Sequence, residues 1–135
     1  MPLVRIDLIE HRSPEQVTEV ADAVHEGIVD ILGIPEGDRF QIITAHKPHE
    51  IIALDAGLGF ERTRELVIIH IFTQAGRTSD VKQQLFGLLA HKLGQVGVSP
   101  EDVFIGITEN GATDWSFGFG RAQYMSGELA VPDSS

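Results

Sequence analysis

The chain of 135 residues has no cysteine, only one tryptophan and one tyrosine, and half as many basic as acidic residues. Without cysteine it cannot form disulfide bonds, use a thiolate nucleophile or bind zinc through sulfur. Ten lysines and arginines against 20 aspartates and glutamates give a formal net charge of -10, which argues against nucleic acids and anionic membranes as partners. The net charge is still compatible with a small anionic substrate, because salt screens the repulsion from distant carboxylates while a nearby arginine attracts the anion.

The sequence also lacks an apolar run long enough to span a membrane, and its beginning does not resemble a signal peptide. Its apolar content of 42% is typical of a soluble globular protein. We therefore expect a cytoplasmic protein with a single domain over residues 1–135, in which residues 130–135 form a flexible tail.

Two copies of one pattern make up most of the chain. Residues 33–44 and 97–108 share glycine, aspartate, phenylalanine, isoleucine and threonine at matching positions. The segments 3–9 and 66–72 match in the same way upstream, and a helical pattern follows each of them. This self-similarity indicates two copies of one strand-helix-strand unit.

The repeat predicts the fold class. Its halves span about 2–64 and 65–129, and a crossover of this length is typical of a right-handed, parallel β-α-β unit. We predict an α/β (α+β) fold with a tandem β-α-β repeat, in which a four-stranded mixed sheet carries both helices on one face.

The ends of both helices are marked in the sequence. Ser13 is a suitable N-cap, Gln16 completes a capping box, and Gly33 is a suitable stop for the first helix. The second helix is predicted to run from near Thr78 or Ser79 to near Gly94.

The sheet face opposite the helices is predicted to be too apolar to lie against water. Leu66, Ile68, His70 and Phe72 alternate onto that side of the third strand, so we expect it to be buried between subunits of a closed oligomer. His70 is interpreted as a structural histidine of that interface. The linking segment, residues 45–64, is predicted to be a short hairpin or loop that packs on a neighbouring subunit.

Pro2 begins the first predicted strand. If Met1 is removed, its nitrogen is a secondary amine on a rigid ring. An ordinary α-amino group titrates at about 7.7–8, so burial or a nearby charge could make this nitrogen a base or an acid near neutral pH. The alternative is that a proline in second position reflects only efficient processing.

Two charged residues are candidates for acting with Pro2. Arg77 lies where the third strand gives way to the second helix, so its guanidinium and the helix N-terminus can converge on an anion. Asp38 could hydrogen-bond the proline nitrogen and keep it protonated. The alternatives are an exposed loop arginine and a turn aspartate, for which Asp102 is the repeat equivalent.

The segment Asp114–Arg121 intersperses aromatic residues with glycines. Aromatic side chains on a tightly turning backbone can form the apolar side of a pocket, and they can also pack on the next subunit. His46 and His49 resemble half a metal site without a third ligand, so no metal is predicted.

The doubled unit, Pro2, the turn at residues 38–41, the residues 57–59 and the segment 114–118 together resemble the tautomerase superfamily. Within it the chain is most similar to the malonate semialdehyde decarboxylases, over nearly its whole length. This resemblance implies the fold described above, a homotrimer and catalysis by the amino-terminal proline. It also implies that the enzyme uses no metal and no organic cofactor.

The resemblance assigns roles to individual residues. Pro2 matches the catalytic proline, Asp38 an aspartate needed for decarboxylation, and Arg77 the arginine that holds the substrate carboxylate. The residues that match the apolar, substrate-binding wall are Trp115, Phe117 and Leu129.

One difference from the family pattern concerns the loop before the second helix. Gln74 stands near the place of an arginine found in some members, and Gly76 is an added residue. Such a pattern is similar to a divergent branch of the decarboxylases, in which Gln74 belongs to the substrate-binding residues.

The activity implied is cofactor-independent decarboxylation of a small β-keto acid such as malonate semialdehyde, by a carboxy-lyase. Two alternatives remain open. In a tautomerase or hydratase acting on small 2-oxo or unsaturated acids, Pro2 would be neutral and act as a general base. In a non-catalytic binding module, only the fold would be retained.

Overall fold

The fold is a four-stranded sheet with two long helices on one face, seen in a computed structural model that describes residues 2–131. The strands are β1 (Pro2–Ile9), β2 (Phe40–His46), β3 (Val67–Gln74) and β4 (Val103–Asn110). The helices are α1 (Pro14–Leu32), α2 (Ser79–Gly94) and the short α3 (Gln123–Ser126). Met1 and most of the predicted tail, from residue 132 onward, lie outside the described residues.

The strand order is β2-β1-β3-β4. Each repeat contributes one parallel pair, β1 with β2 and β3 with β4, and the two inner strands run antiparallel. The predicted fold, a tandem β-α-β repeat with a mixed sheet, is therefore confirmed. Because β1 and β3 are antiparallel, the beginning of β1 lies beside the end of β3.

Both long helices begin and end where the sequence predicts. The Ser13 hydroxyl accepts a hydrogen bond from the Gln16 amide, and the Gln16 side chain accepts one from the Ser13 amide. Gly33 ends α1 with a φ of 67°, which glycine adopts without strain. Thr78 caps α2 through its hydroxyl, which accepts from the amide of Val81.

The core lies between the sheet and the two helices. Alternate residues of the inner strands point into it, as their period of two requires. Full burial of one such side chain contributes about 1.5–3 kcal/mol. The strand residues in this layer are Val4, Ile6, Leu8, Val67, Ile69 and Ile71.

The opposite face of the sheet has no helix over it within the described chain. There His70 hydrogen-bonds Thr108 through Nε2 at 2.7 Å and stacks on Phe72, as expected of a structural histidine. The linking segment is a loop with one 3-10 turn rather than a hairpin, and its side chains of Ile52 and Leu54 are exposed. No helix within residues 2–131 combines the length and apolar content needed to cross a membrane.

Candidate active site

The beginning of β1 and the end of β3 lie side by side and form one edge of the sheet, an edge made of strand termini and not of an outer strand. Pro2 is buried at this edge and pairs in register with Thr73 of β3. Gln74, the last residue of β3, is also buried, and Arg77 follows three residues later in the loop that leads to α2. The antiparallel inner strands thus bring three of the predicted site residues to the same edge.

Arg77 is a buried cation and not an exposed loop arginine, since its exposure is only 7%. Its Nη1 donates to the hydroxyl of Thr73 at 3.1 Å and to the carbonyl of Gln74 at 3.2 Å. Its Nη2 is buried and has no hydrogen-bond partner among residues 2–131. Burial lowers the pKa of Arg77, whereas the nearby charge of Glu109 acts in the opposite direction.

The loop that carries Arg77 has a special backbone conformation. Gly76 has a φ of 132°, in a region that residues with a side chain rarely adopt. The added residue, Gly76, therefore has a backbone conformation that favours glycine over other residue types.

A cavity of about 300 Å³ lies next to this edge, between the turn before β2 and the C-terminal segment. Asp38 lines it together with Phe117 and Leu129, so the structure brings these three predicted residues to one space. The ring of Phe117 packs edge-on against Phe40 at 5.8 Å and against Tyr124 at 5.3 Å. One wall of the cavity is therefore apolar. The Asp38 carboxylate is an acidic group in the same lining.

Tyr124, which the sequence analysis did not select, also lines the cavity. Its side chain is almost fully buried, and its hydroxyl has no hydrogen-bond partner in the described part of the chain. Burial, followed by the charge of Asp38, raises the pKa of Tyr124 to about 12, while the charge of Arg77 opposes this shift. The hydroxyl therefore stays protonated at neutral pH and lies within electrostatic reach of both charged groups.

Four predicted residues do not line this cavity, namely Pro2, Gln74, Arg77 and Trp115. Arg77 instead lines a space of about 10 Å³ with Thr73, too small for more than a single water molecule. Trp115 is half-buried, and its Nε1 donates to the side chain of Asn110, the residue paired with Gln74 across the sheet. Pro2 reaches the cavity indirectly, because the next residue in β1 pairs with Phe40, which lines it.

Comparison with known proteins places this arrangement in a family. Two families, both described as "Tautomerase enzyme", match residues 38–118 and 2–61. The chain is 39% identical to the probable tautomerase YrdN of Bacillus subtilis (strain 168), over 96% of this chain and 100% of that protein. The chain belongs to the tautomerase family. The predicted resemblance is thereby confirmed.

Solved structures of this family share the fold along nearly the whole chain. FG41 malonate semialdehyde decarboxylase inhibited by 3-bromopropiolate is 59% identical with a TM-score of 0.94, covering 96% of this chain and 99% of that one. A malonate semialdehyde decarboxylase studied for its decarboxylase and hydratase activities is 36% identical with a TM-score of 0.91, covering 95% and 99%. A fused 4-OT asymmetric trimer is 25% identical with a TM-score of 0.73, covering 92% and 98%.

Proposed function

We propose that this tautomerase-family enzyme decarboxylates a small β-keto acid such as malonate semialdehyde, with Pro2 as the catalytic group and without a cofactor. One observation carries the proposal. A carboxylate (Asp38) and a buried hydroxyl (Tyr124) face an apolar wall in one cavity, in a chain 59% identical to a malonate semialdehyde decarboxylase.

Pro2 supplies the reacting nitrogen once Met1 has been removed. A nitrogen at the head of a buried inner strand is held in place, which lowers the entropic cost of orienting it. In the proposed mechanism the Asp38 carboxylate, which lines the adjoining cavity, favours the charged form of the nitrogen and so keeps it protonated.

The reaction needs an acceptor for the electron pair of the carbon–carbon bond that breaks. In one route the protonated nitrogen donates a hydrogen bond to the aldehyde oxygen. In the other route the nitrogen first loses its proton and, as the free amine, attacks the aldehyde carbon to form an iminium with loss of water. The electron pair then moves toward that oxygen or nitrogen as carbon dioxide leaves. The resulting enol or enamine takes up a proton at carbon, and water releases the aldehyde from the iminium form.

The apolar wall assists the bond cleavage. Phe117 and Leu129 line the cavity, and Trp115 lies at the neighbouring strand end. A carboxylate that loses its water shell on this wall is less stabilised than the neutral carbon dioxide it becomes.

The substrate carboxylate is held at the edge formed by the end of β3. The Tyr124 hydroxyl is a free donor, and Gln74 ends the strand. Arg77 donates to Thr73 and to the Gln74 carbonyl, so its buried positive charge lies close to this group. The space of about 10 Å³ beside Arg77 favours this indirect action over direct contact between guanidinium and substrate. Fixed donors of this kind contribute a few kcal/mol each to the stabilisation of a developing charge.

A tautomerase or hydratase is the second candidate, because YrdN is described as a probable tautomerase and the relative at 36% identity has a hydratase activity. A titration of the Pro2 nitrogen separates the two. A pKa above about 8 supports decarboxylation by a charged Pro2, and one below about 7 supports a neutral base. Inactivity towards malonate semialdehyde, phenylenolpyruvate and haloacrylates alike would favour a binding module.

The proposal includes a cytoplasmic homotrimer. In a single chain the sheet face opposite the helices leaves Ile42 and Phe104 exposed, and the loop after β2 leaves Ile52 88% exposed. Apolar side chains in this number are typical of surfaces buried in an assembly. The fused 4-OT structure is a trimer with the same fold, which supports the same arrangement here.

Replacement of Pro2 tests the proposal. We expect Pro2→Ala to lower kcat for malonate semialdehyde at least ~100-fold, because a primary amine on a freely rotating residue replaces the secondary amine of the rigid ring. Arg77→Ala is also expected to remove most of the activity. Pro14→Ala, which changes an exposed proline in the first turn of α1, is the matched control and should retain it.

The assay is the release of carbon dioxide, with the intact mass showing whether Met1 is absent. Wild-type turnover by Pro2→Ala would remove the proline from the mechanism. Wild-type turnover by a folded Arg77→Ala variant would do the same for the arginine.

A further inference from the structure

A second cavity lies at the opposite end of the sheet, where β1 ends and β3 begins. It has a volume of about 480 Å³, against about 300 Å³ for the cavity beside Asp38. Its lining includes His11, Arg12, Arg64 and Glu65. The proposed decarboxylation makes no use of these residues.

Arg12 is the buried cation of this cavity, with a side chain only 4% exposed. Its Nη2 donates to the carbonyl of Glu65 at 2.7 Å and to the carboxylate of Glu65 at 3.1 Å. Its Nη1 is buried and has no hydrogen-bond partner anywhere in residues 2–131. A buried N–H without an acceptor is costly, so an acceptor supplied by a ligand would be stabilised there.

The acidic neighbours of Arg12 do not provide that acceptor. Burial lowers the pKa of Arg12, and the charges of Glu65 and Asp102 only oppose this shift. Asp102 accepts hydrogen bonds from the amide and the hydroxyl of Thr63, at 2.7 and 2.5 Å. Its oxygens are therefore engaged with the loop before β3.

The charges around the cavity determine which anion fits. Arg12 and Arg64 balance Glu19 and Glu65 in its lining. A monoanion adds one negative charge to this balanced set, whereas a dianion adds two and is repelled more strongly by the two carboxylates.

We propose that this second cavity binds a small monocarboxylate, to which Arg12 donates from Nη1 while Arg64 supplies positive charge beside it. The site is independent of the proposed function, since it lies at the other end of β1 from Pro2.

The test is a titration of the full-length protein with acetate at constant ionic strength, followed by amide chemical shifts in ¹H–¹⁵N NMR spectra. We expect saturable shifts in the millimolar range at residues 11, 12, 16, 96 and 97, which line the cavity, and none with an equal concentration of chloride. Inorganic phosphate is expected to bind more weakly than acetate.

Variants then assign the binding to the cavity. Arg12→Gln is expected to weaken acetate binding at least about tenfold, because a charged hydrogen bond is lost. Arg64→Gln, which changes a side chain 73% exposed, should weaken it about two- to fivefold. Arg121→Gln removes one exposed positive charge in the C-terminal segment and should leave it unchanged.

The proposal is overturned if no saturable shift appears around the cavity, or if folded Arg12→Gln binds acetate as wild type does. Should Arg12→Gln not fold, unchanged affinity in Arg64→Gln overturns it as well. Tighter binding of phosphate than of acetate would contradict the monocarboxylate assignment. Shifts that follow protein concentration and not acetate would show that a second copy fills the cavity.

Discussion

The two ends of the sheet are built from equivalent positions of the repeat, yet they differ in chemistry. Each end has a buried arginine just before a helix cap, Arg77 at one end and Arg12 at the other. Each also has an aspartate two residues before a phenylalanine, Asp38 before β2 and Asp102 in the turn that leads into β4. The difference lies in what these aspartates contact.

Asp102 is 1% exposed, and its carboxylate accepts two hydrogen bonds from Thr63, which fixes the loop before β3. Asp38 is only half-buried and lines a cavity beside Tyr124. Equivalent positions of a repeat therefore need not share a role: one carboxylate holds backbone in place, and the other stands where a ligand can approach.

Matched substitutions of the two aspartates give the largest expected effects. Asp102→Asn should lower the free energy of unfolding by about 2 kcal/mol, because hydrogen bonds to a buried charge are weakened. Asp38→Asn should leave stability almost unchanged and lower kcat about 100-fold, because the proposed mechanism assigns this carboxylate to keeping the Pro2 nitrogen protonated. Urea unfolding and malonate semialdehyde turnover measure the two effects. Equal loss of activity in both variants would contradict a functional difference between the two ends of the sheet.

Tyr124→Phe probes the group that only one end possesses. We expect kcat/KM to fall about tenfold, since a buried donor to the substrate is lost. Because the folded pKa of about 12 exceeds the ordinary value, wild type is stabilised by neutral Tyr124 below about pH 10 and loses that contribution as pH rises further. The loss should be about 1 kcal/mol by pH 11 relative to Tyr124→Phe. Parallel pH profiles of unfolding for the two proteins would argue against a buried, neutral tyrosine.

The helix caps provide the smallest effect. Ser13→Ala and Thr78→Ala should each lower the free energy of unfolding by about 0.5–1 kcal/mol, because each removes a cap from a helix amide. Only Thr78→Ala should also lower kcat/KM, because Thr78 directly follows Arg77 in the chain. Thermal unfolding and steady-state rates measure both. A fall in kcat/KM with Ser13→Ala would mean that the two ends are coupled.

The sequence predicted what depends on local pattern. The capping box at Ser13, the stop at Gly33 and the bounds of α2 follow from residues close together in the chain, and all three are confirmed. The repeat predicted four strands and a mixed sheet, because equivalent halves require equivalent elements.

Features that depend on distant contacts were harder to predict. Tyr124 was passed over because its role depends on the C-terminal segment folding back over Phe40, which no local pattern encodes. The burial of Arg77 depends on the Thr73 hydroxyl, which accepts a hydrogen bond from its guanidinium. Threonine is common in strands, so its presence at position 73 does not predict this contact. The single tyrosine of the chain, placed within an aromatic-rich stretch, was the signal that could have identified it.

The backbone at Gly76 limits how the specificity of this enzyme can be changed in the laboratory. Any side chain at this position would force a φ of 132° into a strained region. Codon libraries for this loop can therefore vary the exposed Ala75, whereas a side chain at Gly76 would cost about 1–3 kcal/mol in backbone strain. Directed evolution of substrate preference therefore has to keep that glycine and search among the positions beside it.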